Sequence, residues 1–157
     1  MRNKNKAIFL DRDGVIINDV GYLKNINQIK FLPKTFSALN YAYKNNYQLI
    51  IITNQSVVGR GIISIKKLKR IHDFIIQKLK SKNIKIQDIF YCPHHPSFGI
   101  GKYKKKCKCR KPGNLLLEKA IKKNRIDRKS SFFIGDRKTD KLSAEKSNIK
   151  FKFRSKK

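Results

Sequence analysis

The fold is decided by the stretch Phe9-Leu10-Asp11-Arg12-Asp13-Gly14-Val15-Ile16. A short apolar run, residues 7–10, precedes two aspartates that lie one residue apart, and a glycine follows them. That order predicts a buried strand that opens into a tight loop. Taken alone, Asp11 and Asp13 fit two interpretations equally well. They can belong to a functional site, or to a D-x-D-G turn or calcium loop, because Asp and Gly favour turns for conformational reasons. Residues further along the chain separate the two interpretations.

Length and composition predict one domain, residues 1–157, long enough to bury a core. No run approaches the roughly 20 consecutive apolar residues of a membrane span. The N-terminus lacks the apolar segment of a signal peptide. We therefore expect a cytoplasmic, monomeric protein with no membrane partner.

The charge is strongly positive, since 39 Lys and Arg against 10 Asp and Glu give a formal net charge of +29. A charge of this size is typical of proteins that neutralise nucleic-acid phosphates. Here 30 of the basic residues are lysines spread along the whole chain, with one local concentration at 102–108. This distribution favours a solvated surface that attracts anionic substrates weakly. No specific nucleic-acid partner is expected.

Strands and helices alternate along the chain. Apolar runs predict buried strands at residues 7–10, 48–54, 87–91, 131–134 and 149–153. Apolar residues at helical spacing predict helices at 33–46, at 65–79 after the capping residue Ser64, at 115–123 and near Leu142. The segment 15–31 has neither pattern and is predicted to be a flap over the first strand, too short to be a separate cap domain.

Two side-chain positions follow from these helices. The first helix is predicted to carry four apolar residues roughly on one face, namely Phe36, Leu39, Tyr43 and Tyr47. His72, on the second helix, is predicted to be a surface or boundary residue.

The alternation predicts an α/β fold, a doubly wound parallel sheet with helices on both faces. Such sheets bind ligands outside the carboxyl ends of their strands. Asp11 and Asp13, Thr53 and Asn54, and Asp136 all lie at predicted strand ends. We therefore expect these side chains to converge on one site.

The converging side chains suit the hydrolysis of a phosphate ester. Asp11 and Asp136 supply the carboxylate oxygens that Mg²⁺ prefers. One aspartate of the first pair can attack phosphorus and form an aspartyl-phosphate. Its partner two residues away can protonate the leaving oxygen and later deprotonate the attacking water. Thr53 and Lys111 would neutralise charge on the transferring phosphoryl group.

The three cysteines form a second constellation. Cys92-x-His94 and Cys107-x-Cys109 repeat the same spacing and together provide three thiols and one imidazole. Three sulfur ligands and one nitrogen ligand are the composition of a closed structural zinc site. His95 is the neighbouring alternative for the nitrogen ligand. Because Arg110 and Lys111 follow directly, a Zn²⁺ ion bound here would position both.

The motifs at the strand ends resemble a known family. Asp11-x-Asp13, Thr53 after a buried strand, Lys111 before a helix and Gly135-Asp136-x-x-x-Asp140 are similar to the four motifs of the haloacid dehalogenase (HAD)-like phosphatases. The segments FLDRDGVI, GYL, TNQSVVGRG, CPHHP and CKCRKP resemble the D-glycero-D-manno-heptose 1,7-bisphosphate 7-phosphatases. This resemblance implies a HAD-like Rossmannoid fold with a zinc-binding loop at about 92–109.

By the same resemblance the reaction removes the 7-phosphate of a small phosphorylated sugar, in the synthesis of nucleotide-activated heptose for the lipopolysaccharide core. Asp11 is then the nucleophile and Asp13 the proton donor, and Mg²⁺ is bound by Asp11, Asp136 and the backbone carbonyl of Asp13. Thr53 and Lys111 stabilise the phosphoryl group. The resemblance assigns further residues to substrate recognition or to zinc: Arg110, Asp19 to Tyr22, Asn54, Gln55, Ser56 and Arg137 for the substrate, and His94 rather than His95 for zinc.

The chain departs from this family's pattern at Val57, where Gly is usual, and at Asn114-Leu115, where Pro-Gly is usual. It is also some tens of residues shorter than typical members. Two other functions stay open. A histidinol-phosphate phosphatase would share the aspartates and the zinc cluster but usually has a shorter zinc loop. A nucleic-acid-binding or end-processing protein is suggested by the charge alone.

Overall fold

Five parallel strands form the centre of the computed structural model, which describes residues 4–155. They are β1 (Ala7–Leu10), β2 (Gln48–Asn54), β3 (Ile86–Cys92), β4 (Phe132–Gly135) and β5 (Lys150–Phe153). Their order across the sheet is β3-β2-β1-β4-β5, and every neighbouring pair is parallel. The predicted parallel sheet is confirmed. The strand order reverses between β1 and β4, and ligands bind at such a reversal.

Helices cover both faces of this sheet. They are α1 (Thr35–Lys44), α2 (Ser56–Gly59), α3 (Ile65–Lys80), α4 (Leu115–Asn124) and α5 (Lys138–Lys146). The side chain of Ser64 accepts a hydrogen bond of 3.0 Å from the backbone N–H of Lys67, which confirms Ser64 as the cap of α3. The short helix α2 has no counterpart in the sequence prediction, because four residues are too few to show a helical period.

Successive strand residues face opposite sides of the sheet, and both sides are buried. One side packs against α1 and α3 and includes Ile8, Leu10, Leu49 and Ile51. The other packs against α4 and α5 and includes Ala7, Phe9, Ile50 and Ile52. Burial on both sides holds β1 and β2 rigidly, so the polar residues at their ends start from a fixed position.

Two side-chain predictions on the helices are wrong. Tyr43 is 40% exposed, because the buried face of α1 runs through Leu39 and Ala42 and Tyr43 lies one residue beyond it. His72 is only 6% exposed. It lies four residues after Leu68 and three before Ile75, which places it on the core face of α3.

Residues 15–31 form an ordered flap beside β1. The backbone of Ile17 bridges that of Phe31, and a single 3₁₀ turn spans Ile26–Gln28. Asn18 holds the segment together through two hydrogen bonds of 2.8 Å with Lys30. The backbone N–H of Asn18 donates to the carbonyl of Lys30, and Asn18 Oδ1 accepts from the N–H of Lys30. Among residues 4–155, no helix combines the length and apolar character needed to cross a bilayer.

Candidate active site and cysteine cluster

A buried lysine lies at the centre of the carboxyl ends of the strands. Lys111, in the connection from β3 to α4, is 3% exposed. Its Nζ lies 3.1 Å from Asp11 Oδ1 and 2.6 Å from Asp140 Oδ1, and it donates a hydrogen bond of 2.8 Å to the carbonyl of Ile52. Burial opposes the positive charge, but the two carboxylates outweigh it and raise the pKa of Lys111. A permanent cation is thus fixed beside Asp11.

Asp11 directly follows β1 and is itself buried. Its Oδ1 accepts a 2.8 Å hydrogen bond from the backbone N–H of Arg12. Burial is the main cause that raises the pKa of Asp11 to about 6, and Lys111 partly offsets it. The carboxylate is therefore poorly solvated in the metal-free protein, which favours the binding of a cation or the formation of an ester at Asp11.

Three carboxylates meet at the reversal of strand order. Ligand oxygens of Asp11, Asp136 and Asp140 all lie within 4.8 Å of one another. Asp140 Oδ2 accepts hydrogen bonds from the backbone N–H groups of Asp136 and Arg137, at 3.2 and 3.1 Å. Asp140, for which the sequence predicted no role, therefore anchors both Lys111 and the start of α5. Its signal was its place in the first turn of a helix, where acidic side chains cap backbone N–H groups.

Asp136 has the character of a metal ligand. Its Oδ1 is buried without a hydrogen-bond partner within the part of the chain that the structure describes. Burial, followed by the charge of Asp140, raises the pKa of Asp136. Gly14, at φ +78°, leaves room beside it, because a Cβ there would clash with Asp136 Oδ2. This donor set fits Mg²⁺, which binds carboxylate oxygens.

A cavity of about 470 Å³ opens above these groups. Eleven of the predicted site residues line it: Asp11, Asp13, Asp19, Gly21, Tyr22, Asn54, Gln55, Ser56, Arg110, Lys111 and Arg137. Further lining residues were not predicted as site residues: Val57, Arg60, Lys138, Thr139 and Asp140. Asp136 instead borders a neighbouring cavity with Gly14. Val57 lies in helical backbone, which any residue adopts, so its replacement of Gly introduces no strain there.

Thr53 and Asn54, at the end of β2, are held by other site residues. Thr53 is fully buried, and its Oγ1 accepts a 2.9 Å hydrogen bond from Gln55 Nε2. Asn54 pairs with the backbone of Lys111, donating to its carbonyl at 3.1 Å and accepting from its N–H at 3.0 Å. Asn54 therefore fixes the segment that carries Lys111, in addition to lining the cavity.

The flap closes one side of the cavity. Asp19 Oδ2 lies 2.7 Å from Arg137 Nη2, and Asp19 Oδ1 accepts a hydrogen bond from the N–H of Gly21. Burial opposes these contacts, yet together they lower the pKa of Asp19. The Arg60 guanidinium lies 5.4 Å from the ring centre of Tyr22 and 4.6 Å from that of Phe98. Arg60 thus joins the flap to the loop that carries the cysteines.

The cysteine cluster is assembled as the sequence predicted. Cys92 Sγ lies 3.0 Å from Cys109 Sγ and 3.5 Å from Cys107 Sγ, and His94 Nδ1 lies 3.3 Å from Cys109 Sγ. A disulfide requires about 2.05 Å between sulfurs, and all three cysteines are free. Burial raises the pKa of Cys92, so a cation is needed to favour its thiolate. Four such donors around one point fit a tetrahedral Zn²⁺.

His95 is committed elsewhere. Its Nδ1 accepts hydrogen bonds from the backbone N–H groups of Ser97 and Phe98, at 3.1 and 3.0 Å. The structure therefore brings His94, and not His95, to the cysteines. Arg110, next to the cluster, donates a 3.3 Å hydrogen bond to the carbonyl of His94.

Comparison with known proteins gives consistent results. The family model described as polynucleotide kinase 3 phosphatase matches residues 6–155. D-glycero-alpha-D-manno-heptose-1,7-bisphosphate 7-phosphatase of Photorhabdus laumondii is 41% identical over 147 residues, which cover 94% of this chain and 80% of that protein. D-glycero-beta-D-manno-heptose-1,7-bisphosphate 7-phosphatase of Haemophilus influenzae is 40% identical over 136 residues, covering 87% and 73%.

Solved structures share the fold. The D,D-heptose 1,7-bisphosphate phosphatase of B. bronchiseptica, in complex with magnesium and phosphate, superposes with a TM-score of 0.84 at 27% identity, covering 93% of this chain and 78% of that one. A HAD-like phosphatase from Mesorhizobium loti gives a TM-score of 0.89 at 24% identity, covering 94% and 71%. The HAD-like fold expected from the sequence is confirmed.

Proposed function

This chain belongs to the family of the D-glycero-D-manno-heptose 1,7-bisphosphate 7-phosphatases, and we propose that it removes the 7-phosphate of that sugar through an aspartyl-phosphate. The chain is a phosphatase with a HAD-like fold. The family names favour this substrate over histidinol phosphate. The proposed reaction serves the synthesis of nucleotide-activated heptose for the lipopolysaccharide core.

The observation that carries the proposal is the contact of Lys111 Nζ with both Asp11 Oδ1 and Asp140 Oδ1 at the floor of the cavity. A phosphoryl group bound beside Asp11 brings negative charge next to this cation. At the rim of the cavity, Arg110 and Arg137 provide guanidinium groups, which suit the second phosphate of a bisphosphate. A cavity of about 470 Å³ is of the size that small ligands occupy.

The reaction then divides between two aspartates. Asp11 attacks phosphorus as the bond between phosphorus and the leaving sugar oxygen breaks, and Asp13 gives that oxygen a proton. In the second step the Asp13 carboxylate takes a proton from the water that attacks the aspartyl-phosphate. Lys111 and the hydroxyl of Thr53 stabilise the charge that develops on the phosphoryl oxygens. Arg110 orients the substrate.

Mg²⁺ would be held by Asp11, Asp136 and the backbone carbonyl of Asp13, and when bound it would neutralise charge on the phosphoryl group. The unpartnered Asp136 Oδ1 and the space left by Gly14 support this assignment. Zn²⁺ would be held by Cys92, His94, Cys107 and Cys109 and would be structural, since all four ligands come from the protein.

We expect Gly14→Ala to weaken Mg²⁺ binding by about 10–100-fold, because the new Cβ displaces the carboxylate of Asp136. Titration calorimetry of Mg²⁺ measures the effect. The matched control is Gly101→Ala, since Gly101 also has a positive φ, +55°, but its Cβ would meet no atom within 4 Å. Equal Mg²⁺ affinities in the two variants would show that Asp136 is not a ligand.

The substrate is tested by phosphate release from a panel. It contains both anomers of the heptose bisphosphate, histidinol phosphate and 3′-phosphorylated DNA. We expect kcat/KM for one heptose anomer to exceed that for the other two substrate types by at least about 100-fold, because histidinol phosphate has no second phosphate for Arg110 and Arg137 and a DNA strand is far larger than the cavity of about 470 Å³. A preference for the DNA end, with an affinity that falls steeply with salt, would contradict the proposal.

The metal is the control for that panel. Dialysis against EDTA should stop turnover, and added Mg²⁺ should restore it. If the dialysed protein keeps its full rate, Mg²⁺ has no part in the reaction. Zn²⁺ must be measured in the same samples, so that loss of the cysteine-bound ion is not mistaken for loss of Mg²⁺.

A further inference from the structure

Arg12, between the two aspartates in sequence, is buried although none of the proposed roles uses it. Its side chain is the largest of those that are fully buried, at 1% exposed. A guanidinium keeps its charge at all physiological pH values and can only donate hydrogen bonds. Burying it is costly unless every donor group finds an acceptor. The acceptors around Arg12 therefore indicate what its burial achieves.

Three side chains surround the guanidinium of Arg12. Asp13 Oδ1 accepts a hydrogen bond of 3.2 Å from Arg12 Nε. Arg12 Nη2 donates to both oxygens of Asp13, at 3.0 Å each. Gln55 Oε1 accepts from Nη2 at 2.9 Å, and Gln55 Nε2 donates to Asp13 Oδ2 at 2.8 Å. Both oxygens of Asp13 are thus held, one of them by two different side chains. This fixes the carboxyl group in direction as well as in distance.

The third partner is His72, whose Nε2 lies 3.1 Å from Arg12 Nη1. Because Arg12 can only donate, Nε2 must accept, and the ring proton of His72 then lies on Nδ1. Burial and the charge of Arg12 lower the pKa of His72 to about 3, so the ring is neutral. Its edge meets the ring of Tyr91, with 5.9 Å between centres. His72 therefore presents a fixed acceptor from the rigid helix α3.

We propose that Arg12, Gln55 and His72 form a clamp that positions the carboxyl group of Asp13, with His72 holding the guanidinium in place. The inference rests on the proposed phosphatase function, in which Asp13 transfers a proton to the leaving oxygen. Such a group must lie within hydrogen-bond reach of its target. A displacement of about 1 Å costs on the order of 100-fold in rate. His72 is not among the residues that line the cavity and would act through Arg12, so it is a positioning residue.

The test compares His72→Leu with His72→Gln. Gln offers a carbonyl oxygen to Arg12 Nη1, whereas Leu has a similar size and leaves that N–H group unpaired. Each variant is assayed on the best alkyl phosphate of the panel and on p-nitrophenyl phosphate, whose leaving group departs without a proton. We expect His72→Leu to lower kcat on the alkyl phosphate by about 10–100-fold, with KM nearly unchanged and a much smaller loss on p-nitrophenyl phosphate. His72→Gln should recover most of the rate.

A general loosening of the core would behave differently. Ile75→Val, one turn further along α3, removes a buried methyl group and is the control for such loosening. It should lower stability without distinguishing the two substrates. Equal losses on both substrates in His72→Leu, or no recovery in His72→Gln, would overturn the clamp.

A structural readout separates the clamp from the proposed reaction. Crystal structures of His72→Leu and His72→Gln should show the Asp13 carboxyl group displaced in the first and retained in the second. If the wild-type protein hydrolyses no phosphate of the panel, the proposed function fails while this comparison still decides the clamp. An undisplaced Asp13 in His72→Leu would refute it.

Discussion

Asp11→Asn is expected to abolish phosphate release and, in the absence of metal, to make the protein more stable. An amide cannot form the aspartyl-phosphate, so turnover should fall by about 10⁴-fold or more. The stability should rise because burial already raises the pKa of Asp11 from its usual 3.8 to about 6. A buried carboxylate with a raised pKa costs free energy once it ionises, and asparagine never ionises.

The pH dependence follows from the same pKa shift. At about pH 3, well below the usual pKa of 3.8, Asp11 is mostly protonated in both the folded and the unfolded wild type, so it causes no charge-dependent difference from Asn. As the pH rises from about 4 to about 6 the unfolded chain loses this proton while the folded wild type still holds it, so the stability of the wild type relative to the variant falls and then levels off above about pH 6. Above that range the variant should be more stable by roughly 1–3 kcal/mol. Denaturant unfolding in EDTA at about pH 3 and at about pH 8 measures both limits.

Two matched variants complete the experiment. Asp73→Asn removes an aspartate whose side chain is 52% exposed, and it should change neither activity nor stability appreciably. Asp13→Asn should also fail to turn over, because it cannot transfer the proton. Folded Asp11→Asn that retains substantial phosphatase activity would rule out Asp11 as the nucleophile. A variant less stable than the wild type at pH 8 would contradict the account of its burial.

The strands and the residues at their ends could be predicted because each depends on local sequence. Apolar runs such as 48–54 are buried on both faces, and parallel strands bring their carboxyl ends to one edge. The cysteine cluster could also be predicted, since its ligand types and their spacing are typical of a zinc site. These features need no knowledge of how distant helices pack.

The contacts between layers could not be predicted in the same way. Asp140 reaches Lys111 across the gap between α5 and the connection to α4, and no local pattern specifies that pairing. The local sequence gives no sign that Arg12 is buried, because its partner His72 comes from the distant helix α3. The helical period of α3 did contain the signal, since His72 shares a face with Leu68 and Ile75. A polar residue on an apolar face predicts a boundary position, whereas His72 is the hydrogen-bond partner of the buried Arg12 guanidinium.

A substitution in the cysteine cluster should also have a large effect, on the zinc content of the protein. We expect one tetrahedral Zn²⁺ per chain, and Cys107→Ser should lose most of it, because a neutral hydroxyl is a poor substitute for a thiolate. Zinc should fall from about one ion per chain to less than about a tenth under mild chelation. The loop between Cys92 and Cys109 carries five lysines within 102–108, which repel one another when the thiolate-bound ion is lost.

We expect the loss of zinc to affect the active site through the residues that directly follow Cys109. Cys109 is joined directly to Arg110, whose guanidinium donates to the carbonyl of His94, and Lys111 comes next. Cys107→Ser should therefore raise KM for the phosphorylated sugar and lower kcat, although Asp11 and Asp13 are untouched. Hydrogen exchange should show faster opening of residues 93–108 than in the wild type.

His95→Asn is the matched control, because His95 accepts its hydrogen bonds from the loop backbone and lies outside the cluster. An asparagine oxygen can accept the same bonds, so this variant should keep its zinc and its KM. Metal analysis of both variants, purified under reducing conditions, decides between the alternatives. A zinc-free wild type with full activity and a protected loop, or a native disulfide between Cys92 and Cys107, would show that the cluster holds no metal. If Cys107→Ser loses its zinc but keeps its KM and kcat, the ion stabilises only the loop and does not position Arg110 and Lys111.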